Sequence, residues 1–335
     1  MKIVAIQAKN YREAGEAVAK KLHGECRFFL RFIKKTIPKR FFLSWKKYLL
    51  YISPLLPQIK KCTPDAWEYM NGISQGSKTP LIEIFAVNAY DLLDNMHHKK
   101  QGASPKHCTT ILFRSKIQSW LAYTDEWDKR YRPYYILLRV KLPRYSFSAF
   151  TFPLELPGYI TGFNSYGLVY ASNTLHLKND GYGIPLPFAL FSLHKSKTSS
   201  QYLRSLKTMP LGSSVNINFL ERQSISLVEY RRDGKIFIQK KINGFLVHAN
   251  HPVPKSIFQD EELRNGVRSH ARFNRATNLM KLGVTEPKDA IKKIISDTQG
   301  KYPIFHDDVL LRACYDKKLH TVAYITDKTF TLPLP

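Results

Sequence analysis

The chain has 335 residues, of which 44% are apolar and 13% aromatic, so it has ample material for a sizeable core, which excludes an intrinsically disordered protein. Its 52 Lys and Arg against 26 Asp and Glu give a formal net charge of +26. Such an excess favours anionic partners such as nucleic acid, anionic lipid or phosphorylated substrates. Charge bears on association and solubility rather than on fold.

Cysteine usage excludes two classes of site. The four cysteines lie far apart, with no C-x-x-C pair and no zinc-like spacing: Cys26, Cys62, Cys108 and Cys314. We therefore expect no disulfide framework and no metal site. No cofactor is expected either. The chain begins without the apolar segment of a signal peptide, and no run of about 18 apolar residues occurs, so a cytoplasmic location is expected.

The first half of the chain has helical patterns and ends at a join, residues 95–107. Residues 11–22 carry Ala, Glu and Lys at helical spacing. Residues 79–94 suit a second helix, with Thr79 as its N-cap and Pro80 at its first helical position. A mainly helical N-terminal region follows from these patterns.

Residues 20–61 form a basic and aromatic stretch. It holds twelve Lys and Arg but a single acid, Glu25, and we expect Pro38, Pro54 and Pro57 to break it into short pieces. Interleaved Phe and Tyr are typical of helices that lie at a membrane interface. The alternative is a helical pair that packs its aromatics on a sheet and exposes a solvated basic face. The sequence leaves a peripheral contact with an anionic membrane open.

The second half of the chain mixes strand and helix patterns. Strands are predicted at 110–114, 119–123, 134–142, 147–152, 159–162, 167–175, 244–249, 308–315, 319–326 and 329–333. A hairpin within residues 226–241 turns at Asp233-Gly234. Helices are predicted at 187–207, 259–282 and 287–298. Blocks of strands separated by helices indicate an α+β fold rather than a doubly wound parallel sheet.

Cys108 stands where the polar loop of residues 101–107 meets the predicted strand CTTILF. A thiol is a good nucleophile only as the thiolate, and a free α-amine, with a pKa of about 7.7–8.0, can take its proton. That base exists only if the peptide bond before Cys108 is cut, and a polar loop suits such a cut. The alternative is that Cys108 is a small buried core residue.

Short motifs in order along the chain resemble the penicillin (isopenicillin N) acyltransferase family. They are Cys108-Thr109-Thr110, YTDEWD at 123–128, GFNSYGLVYASNTL at 162–175, HANHPV at 248–253 and SHARFNR at 269–275. The segment EYMNGISQGSKTPLIEIFAVNAYDLLD at 68–94 is similar to the family's helical segment upstream of its cleavage point. The resemblance spans nearly the whole chain and rests on the order and spacing of these motifs.

This family comprises autoproteolytic N-terminal-nucleophile (Ntn) cysteine hydrolases and acyltransferases. The resemblance implies a four-layer αββα sandwich with two stacked, mainly antiparallel sheets, forming one structural domain. It implies self-cleavage between His107 and Cys108 into a mainly helical α-chain, residues 1–107, and a catalytic β-chain, residues 108–335, which stay associated. Cys108 then acts on C–N amide bonds of a small-molecule acyl amide, or on an acyl-CoA thioester, through an acyl-cysteine intermediate.

The same resemblance implies roles for further residues. Asn250 falls where the family has an oxyanion donor. Glu126, 18 positions after the nucleophile, matches an acidic residue that orients the new ammonium or the substrate, and Arg272 matches an orienting arginine. Other positions implied to contact or orient the substrate are Thr109, Tyr123, Asn173 and Ser269.

Plainer interpretations exist for these residues. Glu126 is alternatively an exposed acid at a strand end, and Asn250 a turn residue. His248 and His251 have no Glu or Cys at ligand spacing nearby, so they do not indicate a metal site. A different class of function is also open: a catalytically degenerate member that serves as a basic binding module for anionic lipid or nucleic acid. Nucleic acid is not the expected partner.

Overall fold

The structure is a computed structural model that describes residues 1–97, 108–175, 177, 180–254, 256, 266–318, 320–325 and 329–333. Its α-helices are α1 (Tyr11–Lys21), α2 (His23–Phe41), α3 (Trp45–Ile52), α4 (Leu56–Cys62), α5 (Pro64–Ser77), α6 (Leu81–Val87), α7 (Tyr90–His97), α8 (Leu186–Leu190), α9 (Ser199–Leu206), α10 (Gly266–Lys281) and α11 (Pro287–Asp289). Its strands are β1 (Lys2–Gln7), β2 (Cys108–Arg114), β3 (Ser119–Glu126), β4 (Ile136–Lys141), β5 (Ser146–Thr151), β6 (Thr161–Asn164), β7 (Val169–Thr174), β8 (Val215–Leu220), β9 (Ile225–Tyr230), β10 (Ile236–Lys241), β11 (Gly244–His248), β12 (Val309–Asp316), β13 (Thr321–Ile325) and β14 (Thr329–Pro333). Within these residues, none of the helices has both the length and the apolar character needed to cross a lipid bilayer.

The chain forms two compact units, each discontinuous in sequence. The first unit comprises Met1–Gln101, Pro133–Tyr166 and Gly181–Ser213. The second unit comprises Gly102–Arg132, Gly167–Asp180 and Ser214–Pro335. The expected division at residue 107 concerns cleavage of the chain, and it stays a prediction.

The second unit contains two stacked sheets. One has the strand order β7-β8-β9-β10 and the other β11-β2-β3-β12-β13-β14. The strand pairs within both are antiparallel. Strand β2 contacts β7, β8 and β9 across the space between the sheets. The expected α+β fold with two stacked, mainly antiparallel sheets is therefore confirmed.

The β2–β3 hairpin carries different side chains on its two faces, because successive side chains of a strand point to opposite sides. On the outer face, Ile111 and Trp120 join a buried apolar cluster with Ala276 of α10. On the inner face, the Thr110 hydroxyl donates a hydrogen bond to Asn173 on β7, with 2.8 Å between the oxygens. The helix thus covers one side of the hairpin and the partner sheet covers the other.

The first unit combines helices with strands in the order β1-β4-β5-β6, in which β1 runs parallel to β4. Helix α1 contacts both β1 and α5. Two glycines allow the backbones of α1 and α5 to lie in direct contact. A Cβ atom on Gly15 would lie 2.1 Å from the carbonyl oxygen of Tyr69, and one on Gly72 would lie 2.0 Å from that of Arg12. Backbones this close leave no room for a side chain at either position.

Several predicted elements are confirmed. Helix α1 corresponds to the helix predicted at 11–22 and begins after Asn10, whose side chain accepts from the Glu13 N–H. Strands β9 and β10 form the predicted hairpin, and Gly234 turns it with a φ of +88°. Pro54 lies in the short 3₁₀ turn between α3 and α4, as expected of a helix-breaking residue.

Pro38 does not break the helix as expected, since it lies inside α2. Proline adopts a helical φ and removes only one backbone hydrogen bond. The apolar face of α2 continues past it, because Ile37 and Phe41 are both buried. Packing on both sides of Pro38 therefore outweighs the lost bond, and α2 extends to Phe41.

The single helix predicted at 79–94 is two helices, α6 and α7. Pro80, rather than Thr79, is the N-cap residue of α6. The interruption is at buried Asn88, whose Nδ2 donates to the carbonyl of Leu154 at 2.9 Å and whose Oδ1 accepts from the Leu156 N–H at 2.7 Å. The asparagine side chain thus satisfies backbone groups of another segment, a tertiary role that helical periodicity does not reveal.

Other predictions differ in detail. The helix predicted at 187–207 is α8, a 3₁₀ segment Phe191–Lys195, and α9. The helix predicted at 287–298 is α11 followed by a π-helical turn, Ala290–Ile294. The helix predicted at 259–282 corresponds to α10, and its residues 259–265 lie outside the described part. Strands β1 and β8 were not predicted.

The glycine contact between α1 and α5 predicts a large effect of Gly72→Ala. The added methyl group forces the helices apart, which should lower the free energy of unfolding by about 2 kcal/mol or more. Gly24→Ala is the matched control, because nothing lies within 4 Å of a Cβ atom there. Thermal unfolding followed by circular dichroism should show a lower Tm for Gly72→Ala alone, and equal Tm values would contradict the contact.

Candidate active site

Cys108 is the first residue of β2 and is only 6% exposed. The register of the hairpin places it directly opposite Asp125 on β3. The thiol donates to Oδ1 of Asp125, with 3.7 Å from Sγ to the oxygen. The Tyr123 hydroxyl donates to the same oxygen at 3.0 Å. A carboxylate thus lies beside the sulfur, on the inner face of the hairpin.

Burial raises the pKa of the Cys108 thiol well above its usual range, and the negative charge of Asp125 raises it further. The nearby Tyr123 hydroxyl and Arg272 guanidinium act in the opposite direction but do not outweigh burial. The sulfur is therefore a neutral thiol at physiological pH. It becomes a nucleophile only if a neighbouring base accepts its proton as it reacts.

The backbone nitrogen of Cys108 is held by Asn250, which lies two residues beyond the end of β11. The Cys108 N–H donates to Asn250 Oδ1 at 3.0 Å. Asn250 Nδ2 in turn donates to the carbonyl of Thr174 at 3.0 Å. The Asn250 amide therefore faces the nitrogen that cleavage would turn into an α-amine. Its expected role as oxyanion donor stays a prediction.

Arg272, on α10, connects the residues around the nucleophile. Its guanidinium is 2% exposed and donates to the Cys108 carbonyl oxygen and to the Thr109 hydroxyl, both at 2.6 Å. It also donates to Asn250 Oδ1 at 2.9 Å and lies 3.4 Å from Glu126 Oε1. One side chain thus fixes both ends of the Cys108 residue, directly at the carbonyl and through Asn250 at the nitrogen.

Glu126 lies on the outer face of β3, one residue beyond Asp125. Its carboxylate is paired with Arg272 and is 3.0 Å from Nε2 of His306. A cavity of about 490 Å³ opens beside it, lined also by Tyr302. Because adjacent strand residues alternate in direction, Glu126 faces away from the thiol. Its negative charge nevertheless adds to the causes that raise the pKa of the Cys108 thiol, after burial and Asp125.

Ser269 supports the backbone of the Asn250 segment from α10. Its hydroxyl accepts from the Asn250 N–H at 2.7 Å and bonds Nδ1 of His251 at 2.7 Å. Burial and the nearby His270 lower the pKa of His251 to about 2, so that its ring is neutral at physiological pH. The serine thus orders the turn that presents the asparagine side chain.

A buried histidine–glutamate pair, with one member on each sheet, also holds the segment around Asn250. His248 Nδ1 donates to the Ala249 carbonyl at 2.6 Å, and Nε2 lies 3.1 Å from Oε1 of Glu229 on β9. The same Glu229 oxygen accepts from the Val253 N–H at 2.8 Å. Both side chains of the pair are fully buried. The pair therefore links β11 to β9 of the other sheet, and it holds the backbone on both sides of Asn250, at Ala249 and at Val253.

Asn173, on β7, presents a buried donor. Its Oδ1 accepts from the Thr110 hydroxyl at 2.8 Å and from Asn218 Nδ2 at 2.7 Å. Its Nδ2 is buried and has no hydrogen-bond partner among the described residues. Buried polar groups without partners are uncommon and often belong to functional sites. Asn173 therefore offers an N–H group that a substrate oxygen can use.

The structure brings most of the predicted residues together. Thr109, Asn250, Ser269 and Arg272 form one connected network with Cys108. Tyr123 lies on the inner face of the hairpin, and Asn173 on β7 contacts that face through Thr110. His107 lies outside the described residues. Within the described parts of the chain, no group of three or more His, Cys, Asp or Glu side chains could hold a metal ion.

Asp125 and His306 were missed at the sequence level. A signal for Asp125 was present, because a four-residue turn at 115–118 pairs Arg114 with Ser119 and hence Cys108 with Asp125. Strand prediction alone does not give that register. His306 comes from a loop far along the chain, and no pattern links it to Glu126.

One comparison with known proteins identifies the family of the chain. The family model described as acyl-coenzyme A:6-aminopenicillanic acid acyl-transferase matches residues 122–332, more than half of the chain. A search of curated proteins finds no match. The resemblance to the penicillin acyltransferases is confirmed, and the chain belongs to the acyl-coenzyme A:6-aminopenicillanic acid acyl-transferase family.

Proposed function

We propose that the protein is a self-cleaving N-terminal-cysteine enzyme that hydrolyses linear amides or transfers their acyl groups, with acyl-CoA thioesters as alternative donors. The observation that carries this proposal is the pair of contacts at Cys108. Its nitrogen is bonded to Asn250 Oδ1 and its thiol to Asp125. Any buried backbone N–H needs an acceptor, but a residue used only to fill a core does not need a carboxylate beside its thiol.

Self-cleavage begins with transfer of the thiol proton to Asp125. The sulfur attacks the carbonyl carbon of residue 107, the C–N bond to Cys108 breaks, and the nitrogen takes up a proton. The product is a thioester between residue 107 and Sγ with a free α-amine. Water then hydrolyses the thioester, which leaves a carboxylate at residue 107 and a free thiol. General-base assistance of this kind typically contributes about 10²–10⁴-fold in rate.

In the mature enzyme the α-amine of Cys108 is the general base for its own thiol. The thiolate attacks the substrate carbonyl, the leaving amine takes the proton, and an acyl-Cys108 intermediate forms. Water or a second amine then accepts the acyl group. Asn250 Oδ1 keeps the α-amine in position, as its bond to the Cys108 nitrogen suggests. Small-molecule acyl amides fit this chemistry without a cofactor.

Asn250 and Asn173 are the proposed oxyanion donors. Asn173 Nδ2 already lacks a partner among the described residues, and Asn250 Nδ2 can exchange the Thr174 carbonyl for the substrate oxygen. Removing one such donor typically costs about 2.7–4 kcal/mol at the transition state. Arg272 is proposed to orient Cys108, and Glu126 to balance the charge of that arginine in the dry interior.

Denaturing electrophoresis of the purified protein tests self-cleavage. Fragments of about 12 and 26 kDa, scaled from 38.8 kDa for 335 residues, should appear in the wild type and be absent in Cys108→Ala. Cys314→Ala is the matched control, because this thiol is also buried in the same sheet and has a raised pKa. An intact wild-type band that stays intact on prolonged incubation would overturn the proposed processing.

The Asp125→Asn variant tests whether Asp125 takes up the thiol proton or only raises the thiol pKa by its negative charge. Loss of the negative charge lowers the thiol pKa, so iodoacetamide should alkylate Cys108 faster at any pH below that pKa. Loss of the base should slow self-cleavage, by at least about tenfold. Tryptic digestion separates both readouts by mass, because uncleaved protein yields HCTTILFR and cleaved protein yields CTTILFR.

The two rates must move in opposite directions if Asp125 takes the proton. Acceleration of both alkylation and self-cleavage would mean that Asp125 only raises the thiol pKa, and another group would have to be the base. Tyr123→Phe is a useful companion variant. It removes the hydroxyl that donates to Asp125 at 3.0 Å but leaves the carboxylate in place.

A further inference from the structure

Helix α2 of the first unit exposes a stripe of aromatic and basic residues. Phe28 and Phe42 are 62% and 82% exposed, large fractions for phenylalanine. Arg31, Lys35 and Lys39 lie between them and are also exposed. Because the five positions are separated by three or four residues, they share one face of the helix. An aromatic residue therefore stands at each end of a row of three cations.

The opposite face of α2 is fully used for packing. Phe29, Ile33, Ile37 and Phe41 are all buried. The sequence left open whether the aromatic residues of this stretch pack inwards or face a membrane. The helix carries aromatic residues on both faces, since Phe29 and Phe41 are buried whereas Phe28 is exposed. Packing within the first unit thus accounts for one face of α2 and leaves the other without an explanation.

Phe42 caps α2 in a conformation that suits glycine better. Its φ is 49° and its ψ is 37°, which is the left-handed region that side chains with a Cβ atom avoid. Helices commonly end on glycine at this position. A large aromatic residue that is strained and exposed at once does not stabilise the helix end. Its side chain is better explained by an interaction outside the chain.

Helix α3 also exposes an apolar side chain beside cations. Leu50 is 64% exposed, while Tyr48 and Ile52 on the opposite side are buried. Lys46 and Lys47 are exposed one turn before Leu50. This second helix therefore also presents an aliphatic side chain among cations on its outward face. All the charged residues of α3 are cations.

The cations of the α2 stripe are available for a partner. Arg31, Lys35 and Lys39 form no ion pair within the part of the chain that the structure describes. Two acids of the same unit are engaged by other lysines, because Glu25 pairs with Lys2 and Glu83 pairs with Lys34. The stripe thus combines uncompensated positive charge with exposed apolar groups.

We propose that the outward faces of α2 and α3, defined by Phe28, Arg31, Lys35, Lys39, Phe42, Lys46, Lys47 and Leu50, dock on an anionic lipid surface. The cations contact lipid phosphates, and the three apolar side chains enter the boundary between headgroups and acyl chains. Phenylalanine can also stack on a nucleic-acid base, but an exposed leucine gains from an apolar medium and not from stacking. The combination favours lipid over nucleic acid. This docking does not depend on the proposed enzymatic function.

Phe42→Gly tests the proposal without a loss of folding, because glycine relieves the left-handed strain. Full-length protein is sedimented with phosphatidylcholine vesicles that contain about one-third phosphatidylserine. The variant should have an equal or higher Tm and bind about tenfold more weakly, as expected for loss of one large apolar anchor. The matched control is Leu282→Gly, which removes an 81%-exposed side chain of the second unit and should leave binding unchanged.

Lys35→Gln with Lys39→Gln tests the electrostatic part. The double variant should bind anionic vesicles several-fold more weakly and with a smaller dependence on salt, and the wild type should bind pure phosphatidylcholine vesicles poorly. Equal vesicle binding by Phe42→Gly and Leu282→Gly would overturn the proposal. So would absence of vesicle binding at low salt, or binding to a single-stranded polynucleotide that vesicles do not compete away.

Discussion

A guanidinium group that is 2% exposed needs acceptors on several sides, because an unpaired charge in a protein interior costs about 3–5 kcal/mol. Arg272 finds them on three strands or their extensions: the Cys108 carbonyl, the Asn250 amide oxygen and the Glu126 carboxylate. This constraint fixes α10 against the hairpin that carries the nucleophile. The positions of the Cys108 nitrogen and carbonyl follow from it. Loss of the Glu126 carboxylate would leave this charge without its ionic partner.

The two faces of the β2–β3 hairpin carry different groups of the candidate site. The inner face holds the thiol and Asp125, the groups to which we assign bond making and proton transfer in the proposed mechanism. The outer face holds Glu126, which bears on position through Arg272. Two carboxylates that are adjacent in sequence thus act in different surroundings. The arrangement explains how a residue that points away from the sulfur still contributes to the state of Cys108.

The α+β class could be predicted from the order of strand and helix patterns. Cys108, the proposed nucleophile, and most residues of the network around it could be predicted because each lies in a short motif. Asp125 was not predicted, because side-chain direction depends on strand register, which a turn of four residues sets. The split at Asn88 and the continuity of α2 through Pro38 depend on tertiary contacts that local propensity does not contain. The basic stretch was identified from composition, but which aromatic residues face outwards required the fold.

The central claim is that Cys108 becomes a free N-terminus, and N-terminal sequencing of the mature protein tests it most directly. The account predicts two sequences in equal amounts, MKIVAI from the start of the chain and CTTILF from residue 108. Detection of MKIVAI alone, in protein that has been incubated to completion, would contradict it. A second sequence starting at any other residue would also contradict it, because the contacts that support cleavage are made to Cys108, at its nitrogen by Asn250 and at its carbonyl by Arg272.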